Sequence, residues 1–347
     1  MTDPRADPVA HDAADRDLPE ERGAVPERPA AEGGGAATPS YALPEGATDG
    51  LPGAPASLRA GPSTFDWGSR TFVMGVLNVT PDSFSGDGLL AADDPVAAAV
   101  ARAQRMVGEG ADLLDIGGAS SRPGHARLDP GEEVGRVVPV IRAVAGALPR
   151  IPLSIDTTSP AVAAAALDAG AHLLNDVWGV ADDPGMLRLA AARGVPIVLM
   201  HNRAEARYRN VIAEVVADLQ RAIDRALDAG VPWDHLVVDP GFGFGKTPDH
   251  NLALLADLGA LSMLGRPVLL GTSRKSTLGK LLDLPAEQRV EATAATTALG
   301  IAAGVDIVRV HDVRENVRVA RVADAVVRGW RPRGWAEGRA MAPEPSR

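Results

Sequence analysis

The stretch Pro152–Asp176 reads PLSIDTTSPAVAAAALDAGAHLLND and contains one complete structural repeat. A short apolar run ends in Asp156, an alanine-rich segment of helical character begins at Pro160, and Gly170 precedes the next apolar run. Proline suits the first turn of a helix, and glycine suits the left-handed residue that closes one. The stretch therefore predicts a strand, a helix and a second strand, with polar side chains at the end of each strand.

This pattern recurs eight times between Thr71 and Asp312, at roughly 33 residues per repeat, as a (β/α)8 barrel of ~250 residues requires. The apolar runs and their polar ends are Phe72–Leu77 with Asn78, Leu113–Leu114 with Asp115, Pro152–Ile155 with Asp156, His172–Leu174 with Asn175 and Asp176, Ile197–Met200 with His201, Leu236–Val238 with Asp239, Val268–Leu270 before Ser273 and Lys275, and Ile307–Val310 with Arg309 and His311. The helices are predicted at Pro95–Val107, Glu132–Leu148, Pro160–Ala169, Pro184–Ala192, Val211–Ala229, His250–Met263, Arg289–Ala303 and Glu315–Arg328. Active sites of such barrels lie at the C-terminal ends of the strands, so the polar ends are the candidate site residues.

We expect a single (β/α)8 TIM barrel over residues 58–330, with a hairpin near Leu58–Trp67 closing its floor. Residues 1–60 are rich in proline, glycine and alanine and carry eleven acidic against five basic residues, which is more than half of the formal charge of −10. Such a composition buries too little apolar surface to offset the entropy of ordering. Residues 1–57 and 331–347 are therefore predicted to be disordered tails.

Composition excludes several classes of function. Cysteine is absent, which rules out disulfides, thiol catalysis and thiolate metal sites. No apolar run reaches the ~18 residues that a membrane span needs, and the acidic N-terminus fits neither a secretory signal nor a transit peptide. The barrel is only mildly acidic, which argues against a nucleic-acid surface. We therefore predict a cytoplasmic protein with neither a membrane nor a nucleic-acid partner.

Two carboxylates and an amide are expected to converge at the barrel mouth. Asp156, Asn175 and Asp239 end three of the runs, and such groups can recognise the N–H edge of a planar heterocycle such as a 2-amino-4-oxopyrimidine. A divalent metal is the alternative ligand, and ordinary loop capping is the alternative role. Asp115 and Asp176 also lie at strand ends, and for these two the sequence leaves open whether the carboxylate has a structural or a functional role.

Cationic side chains predict a second feature, an anion site. Arg309 and His311 lie two residues apart on the last strand, so they share a face and suit a phosphate or diphosphate. His201 either joins them or caps a backbone carbonyl. Arg122, in the long loop after Asp115, either closes over the same anion or is solvated.

The segment Gly271–Ser276 follows the seventh run and leads into a short helix predicted at Thr277–Leu282. Alternation places Ser273 and Lys275 on one face and Arg274 on the other, so Lys275 is a site candidate and Arg274 a structural ion pair. The helix start near Ser276 is an anion site, and in barrels it commonly holds a phosphate.

The segment Gly241–Lys246 follows Asp239, and Phe244 within it can form one wall of an apolar slot. The chain has three lysines against thirty-two arginines, and both Lys246 and Lys275 stand in these motif segments. A lysine retained against that bias indicates a position that needs a compact ammonium rather than a guanidinium fork.

With these residues assembled, the chain resembles the dihydropteroate synthase family over residues 65–330. The segments that carry the resemblance are Met74–Ser85, Asp115–Gly118, Ser121–Gly124, Ser154–Thr157, Asn175–Asp176, Asp239–Lys246, Ser273–Ser276 and Arg309–Val313. The resemblance implies condensation of 6-hydroxymethyl-7,8-dihydropterin diphosphate with p-aminobenzoate, giving dihydropteroate and diphosphate with Mg²⁺, by a homodimer.

The resemblance also implies a role for each matching residue, with Asp156, Asp239, Lys275, Arg309 and His311 as the catalytic set. The pterin would be held by Asp156, Asn175, Asp239 and Lys275. The diphosphate would be held by Asn78, Arg122, Arg309 and His311, with Asn78 beside Mg²⁺. The p-aminobenzoate slot would consist of Ser121, Pro123, Phe244, Lys275 and Ser276, so that the helix start binds a carboxylate rather than a phosphate.

The chain departs from the family pattern in three segments. Ala119 stands where the family usually has glutamate, Ser85–Gly88 is a rearranged form of the usual loop, and His201–Arg203 differs from the common sequence. Two alternatives are a pterin-binding methyltransferase barrel and a catalytically silent pterin-binding paralogue. The first has no use for the Ser-Arg-Lys-Ser segment, and the second would be expected to lose Lys275, Arg122 or Arg309, all of which are present.

Overall fold

The computed structural model describes residues 57–80, 94–119, 128–179 and 184–335. Within these ranges the chain opens with an antiparallel hairpin, β1 (Ser57–Ala60) and β2 (Ser63–Asp66). Eight parallel strands follow, namely β3 (Phe72–Asn78), β4 (Leu113–Gly117), β5 (Leu153–Asp156), β6 (Leu173–Asp176), β7 (Ile197–Met200), β8 (Leu236–Asp239), β9 (Leu269–Leu270) and β10 (Ile307–Val310). The α-helices are α1 (Pro95–Glu109), α2 (Pro130–Ala147), α3 (Pro160–Ala169), α4 (Gly185–Arg193), α5 (Val211–Asp228), α6 (Pro248–Ala256), α7 (Ser276–Leu282), α8 (Val290–Ala302) and α9 (Val313–Val327).

The parallel strands form a closed ring. Their order is β8-β7-β6-β5-β4-β3-β10-β9, so β3 and β10 are neighbours. Val238 on β8 bridges to Val268 just before β9, and its N–H donates to the carbonyl oxygen of Pro267 at 3.0 Å, which joins the two ends of the sheet. The predicted (β/α)8 barrel is confirmed, and all eight strands present their C-terminal ends at one rim.

The hairpin closes the opposite end of the barrel, as the sequence predicted. Leu58 and Phe65 are buried, and the Phe65 ring meets that of Phe72 edge-on, with 5.0 Å between the centroids. They pack in one apolar cluster with the inward-facing residues near the strand starts, namely Met74, Leu113, Leu173, Val198, Val237, Leu269 and Ile307. Apolar side chains thus fill the floor, and the polar strand ends lie at the other rim.

The predicted helix limits agree with the structure to within two residues, with one exception. The sequence predicted one helix over His250–Met263, whereas α6 is followed by a 3₁₀ helix at Leu258–Leu264. Helix α6 begins earlier because Thr247 caps it in a reciprocal pair with His250, whose backbone N–H donates to the Thr247 hydroxyl at 3.2 Å. The 3₁₀ segment buries Leu258, Leu261 and Leu264, and a three-residue spacing is the one that a 3₁₀ helix keeps on one face.

The two predicted tails fall almost entirely outside the described residues. Ser57 already belongs to β1, and residues 331–335 form an exposed turn in which the Trp335 N–H donates to the carbonyl oxygen of Pro332 at 3.1 Å. Among the residues that the structure describes, no helix combines the length and the apolar character needed to cross a bilayer.

Candidate active site

Polar side chains from neighbouring strands meet at the C-terminal rim. Asp156 at the end of β5 stands in register with Asn175 on β6, and Asp239 ends β8. All three are buried although polar, as is Asp115 on β4. The Asn175 amide donates to Oδ2 of Asp115 at 2.9 Å. The structure therefore brings together the two carboxylates and the amide that the sequence predicted for one site.

Arg309 on β10 links two of these carboxylates. Its Nε donates to Asp115 Oδ2 at 2.6 Å, and its Nη2 donates to Asp156 Oδ2 at 2.7 Å. Burial opposes the charge of Arg309, but the two carboxylates outweigh that effect and hold its pKa above the ordinary value. The sequence predicted that Arg309 faces an anionic ligand, and in the structure its charge is already balanced by the protein. Asp115 accepts hydrogen bonds from both Asn175 and Arg309. The sequence left its role open between structure and function, and these two bonds show that it orients side chains of the candidate site.

Burial raises the pKa of the two rim carboxyls. The pKa of Asp156 rises to about 7, against the opposing charge of Arg309 and with a further rise from Asp115. The pKa of Asp239 rises to about 6, although the N–H of Gly241 donates to it at 2.7 Å. Carboxyl groups whose pKa lies near neutrality through burial and specific charge partners are typical of functional sites.

The loop between β8 and α6 carries Phe244, which the sequence predicted to form one wall of an apolar slot. Phe244 is buried against Val177 and Met200. The Nζ of Lys275 lies 3.9 Å from the centroid of the Phe244 ring, which is cation–π distance. The sequence assigned Phe244 and Lys275 to one slot, and the structure places them in contact.

The segment between β9 and α7 is fixed by side-chain pairs on both of its faces. Arg274 donates from Nε and Nη2 to the Asp312 carboxylate at 3.1 and 2.6 Å, so the predicted structural ion pair is present. Arg274 has a φ of 59°, a left-handed conformation that costs a non-glycine residue about 1–2 kcal/mol. On the other face the Ser273 hydroxyl accepts the His311 N–H at 3.1 Å and lies 3.0 Å from Nδ1 of its ring. The His311 ring is thereby oriented at the rim.

Helix α7 begins at Ser276, one residue before the predicted start, and Ser276 is exposed. Sequence reasoning missed Arg289, which donates hydrogen bonds to backbone carbonyls before and after this helix. Its Nη1 donates to the carbonyl oxygens of Arg274 and Lys275 at 2.9 and 3.3 Å, and its Nε donates to that of Leu284 at 2.8 Å. An arginine at the start of a later helix has no local pattern that marks it, since its partners lie up to fifteen residues earlier.

Asn78 ends β3 at the same rim, beside Gly117 of β4, and is half-buried. Across the described ranges, no group of three or more histidine, aspartate or glutamate side chains could hold a metal ion. Mg²⁺ keeps much of its water and is held by few protein groups together with substrate phosphates, so a single oxygen ligand such as that of Asn78 is compatible with its chemistry. Ser121, Arg122 and Pro123 lie outside the described residues.

His201 corrects an expectation. The sequence left it either an anion ligand or a cap on a backbone carbonyl, but its ring nitrogens bond side chains. Nε2 lies 3.0 Å from Asp218 Oδ2, and Nδ1 lies 2.9 Å from the Nζ of Lys246. The ring is fully buried, and burial together with the charge of Lys246 lowers its pKa to about 4.

Glu133 on α2 was also missed by the sequence reasoning. It is buried, and burial raises its pKa against smaller opposing effects of Thr157 and Arg136. Its charge raises the pKa of Asp156 in turn. A glutamate in the first turn of a helix is usually exposed and stabilises the helix dipole. The sequence therefore gives no sign that Glu133 is buried near Asp156, and only the tertiary structure shows it.

Comparison with known proteins agrees with this geometry. The sequence model of the family described as pterin binding enzyme matches residues 74–311. A dihydropteroate synthase of Clostridium beijerinckii is 46% identical over 272 residues, which cover 78% of this chain and all of that relative. The Xanthomonas albilineans dihydropteroate synthase has been solved with 4-aminobenzoic acid (TM-score 0.73, 43% identity, 78% of this chain and 98% of that one) and with 7,8-dihydropteroate (TM-score 0.70, 40% identity, 78% and 98%). The chain therefore belongs to the pterin-binding enzyme family and, within it, to the dihydropteroate synthases.

Proposed function

We propose that the chain condenses 6-hydroxymethyl-7,8-dihydropterin diphosphate with p-aminobenzoate, giving 7,8-dihydropteroate and diphosphate. The observation that carries this proposal is the convergence of Asp156, Asn175 and Asp239 at the rim, next to the contact between Lys275 and Phe244. The strand ends offer acceptors to a planar ring, and the adjacent loops offer an aromatic wall and a cation to a second substrate.

We assign the pterin ring to Asp156, Asn175, Asp239 and Lys275. One oxygen of Asp239 accepts the Gly241 N–H, and one oxygen of Asp156 accepts from Arg309, so both carboxylates have fixed orientations. The second oxygen of each can accept from the N–H groups of the pterin edge. Fixed acceptors lose little entropy when the ring binds, which favours a preorganised site.

We assign the diphosphate to Asn78 and His311 on adjacent strands, with Arg309, and with Arg122 from the loop outside the described residues. Ser273 holds the His311 ring at this rim. Mg²⁺ would be held by Asn78 together with diphosphate oxygens, and when bound it supplies charge that stabilises the departing diphosphate. His311 and Arg309 act on the same oxygens as hydrogen-bond donors.

We assign p-aminobenzoate to the slot between Phe244, Lys275 and the start of α7 at Ser276, with Ser121 and Pro123 completing it. The apolar contacts of Phe244 with Val177 and Met200 provide a wall for the benzene ring. The Lys275 ammonium and the N–H groups at the helix start favour its carboxylate.

The reaction forms one bond and breaks one. The arylamine nitrogen attacks the pterin methylene carbon, the bond from that carbon to the diphosphate oxygen breaks with its electron pair, and the amine releases a proton to water. An arylamine is neutral near pH 7, so the site needs no strong base. The residues contribute position, charge on the leaving side and carboxylates beside the ring where positive charge develops.

We also propose that the active form is a homodimer. Helices α8 and α9 expose Leu299, Val322 and Val326, at 57%, 67% and 80% of their surface. An apolar face of this kind on neighbouring helices suits a self-complementary interface. The cytoplasm as the location of the reaction remains a prediction from the sequence.

A coupled assay for diphosphate release, with mass spectrometry of the organic product, tests the proposed function. We expect release that depends on p-aminobenzoate and a product with the mass of dihydropteroate. Pterin binding without diphosphate release would instead support the silent paralogue. Methyl transfer from a methylated tetrahydropterin would support the methyltransferase barrel, which the comparisons do not favour.

A further inference from the structure

A group of ionisable side chains, one fully buried and three partly buried, contacts the loop between β8 and α6 and lies outside the residues assigned to substrates. We name it the loop clamp, and it consists of Lys246, His201, Asp218 and Arg203. The Lys246 Nζ lies 3.1 Å from the carbonyl oxygens of Gly241 and Phe244 and 2.9 Å from His201 Nδ1. An ammonium has three N–H donors, and here each donor has one acceptor.

Protonated Lys246 determines the tautomer of a neutral His201. An ammonium that donates to Nδ1 requires the ring proton on Nε2, and Nε2 then donates to Asp218 at 3.0 Å. Asp218 is held in turn by Arg203, from Nε at 2.9 Å and Nη2 at 2.7 Å. The pKa of Lys246 is lowered to about 7. Burial is the largest cause, Arg203 and Lys275 act in the same direction, and Asp239 and Asp218 oppose the change.

The loop packs directly against residues 201–203, which follow β7, so close backbone contacts restrict its conformation. A Cβ on Gly241 would lie 1.8 Å from the carbonyl oxygen of His201, and one on Gly245 would lie 2.3 Å from that of Arg203. The Tyr208 hydroxyl donates to the carbonyl oxygen of Gly245 at 2.9 Å. Partly buried donors thus bind the carbonyls of Gly241, Phe244 and Gly245, and Lys246 supplies two of those bonds.

These contacts affect the two substrate regions unequally. Asp239 ends a barrel strand, and its position is set by the β8 ladder with β7. Phe244 lies within the loop, and Lys246 binds its carbonyl oxygen while Lys275 contacts its ring. Loss of the Lys246 bonds should therefore displace Phe244 more than Asp239.

We propose that Lys246 is a positioning residue for the second substrate, because its ammonium, seated by a neutral His201, holds Phe244 where the benzoate ring packs. This inference rests on the proposed function, since it concerns the slot assigned to p-aminobenzoate. The composition agrees with it, because Lys246 is one of three lysines among thirty-two arginines. A planar guanidinium cannot aim three N–H groups at three acceptors arranged around a single nitrogen.

The decisive variant is Lys246→Met, which keeps the length of the side chain and removes its donors. We expect the KM for p-aminobenzoate to rise at least about tenfold, as loss of charge-assisted bonds implies, while the Kd for the pterin diphosphate changes less than about threefold. Lys246→Arg keeps the charge and should fail to restore the KM. Lys280→Met is the matched control, because Lys280 is an exposed lysine on α7, and it should behave like the parent.

A second pair of variants covers the case in which Lys246→Met does not fold. His201→Gln offers both an acceptor and a donor and should retain a lower KM than His201→Leu, which offers neither. Equal KM values for these two, a Lys246→Met enzyme with an unchanged KM, or equal losses of both substrates would each overturn the proposal.

Hydrogen–deuterium exchange separates this inference from the proposed function, since it needs no activity. Gly243 donates to Asn251 at 2.8 Å and Phe244 to Gly241 at 3.1 Å, so their amides report opening of the loop. Faster exchange over residues 240–246 in Lys246→Met, and not in Lys280→Met, supports the clamp even if the parent makes no dihydropteroate. Unchanged exchange overturns it, whereas a parent that releases no diphosphate overturns only the proposed function.

Discussion

Replacing Asp239 with asparagine tests whether the strand ends hold the pterin ring. The Gly241 N–H donates to one carboxylate oxygen at 2.7 Å, and an asparagine oxygen can keep that bond. The amide NH2 of the asparagine then stands where the second carboxylate oxygen was. An N–H donor therefore faces the N–H donors of the pterin ring, and no hydrogen bond can form. Breaking one partner of such a buried pair costs about 2–5 kcal/mol. At about 1.4 kcal/mol per factor of ten, the Kd should rise about thirty- to four-thousand-fold.

The pH dependence of binding has a definite sign. Burial raises the pKa of Asp239 to about 6, so the free protein binds a proton at this site below that pH. Pterin N–H donors favour the ionised carboxylate, which lowers its pKa in the complex. The contribution of Asp239 to the affinity should therefore be constant above its free pKa and fall up to about tenfold per pH unit below it.

Calorimetric titration with a pterin that lacks the diphosphate, from about pH 8 to about pH 5, measures both effects. Asp239→Asn shares every other titration with the parent, including those of Asp156 and of the ligand. The ratio of the two Kd values therefore isolates Asp239. Equal affinity at about pH 8 would remove Asp239 from the site, and a ratio that does not change with pH would show that a neutral carboxyl binds the ring.

Three further perturbations probe the scaffold. Arg309→Met should lower the free energy of unfolding by about 3–5 kcal/mol, since it leaves two buried carboxylates without their cation, and an unchanged urea midpoint would contradict this. Gly241→Ala places a Cβ 1.8 Å from the carbonyl oxygen of His201 and should lower both the melting temperature and the pterin affinity far more than Gly68→Ala, which has a similar positive φ and open space. Deleting residues 1–56 should shift the melting temperature by less than about two degrees, and a fall of about ten degrees would show that this segment packs on the barrel.

The fold was predictable because its signal is periodic and local. The apolar runs, their polar ends and the capping glycines each depend on a few neighbouring residues, and Gly170 and Gly304 have the positive φ values of 116° and 98° that the pattern implied. The error at α6 has the same origin, because the leucine spacing from Leu258 to Leu264 suits a 3₁₀ helix as well as an α-helix. Periodicity identifies the buried face but does not choose between two helix types that share it.

The site was predictable at the level of strands and not at the level of contacts. Alternation placed Arg274 and Lys275 on opposite faces, and the structure agrees. It could not show that Arg309 bonds Asp115, because that contact joins residues 194 apart and depends on side-chain rotamers across the barrel. Lys246 had a compositional signal and a place in the segment Asp239–Lys246, but its contact with His201 joins residues 45 apart and had no signal in the sequence.

The residues assigned to the two substrates differ in how their backbone is fixed. Three of the groups assigned to the pterin, Asp156, Asn175 and Asp239, lie at the ends of barrel strands, where ladder hydrogen bonds on both sides fix the backbone. Phe244 and Lys275, which are assigned to p-aminobenzoate, lie in segments after β8 and β9 whose carbonyls have no ladder partners, and a buried carbonyl without a donor is costly. Lys246 and Arg289 supply those donors from outside the substrate contacts. Specificity for the second substrate should therefore depend on partly buried cations that do not contact it, and variants of these cations should change its KM before they change the fold.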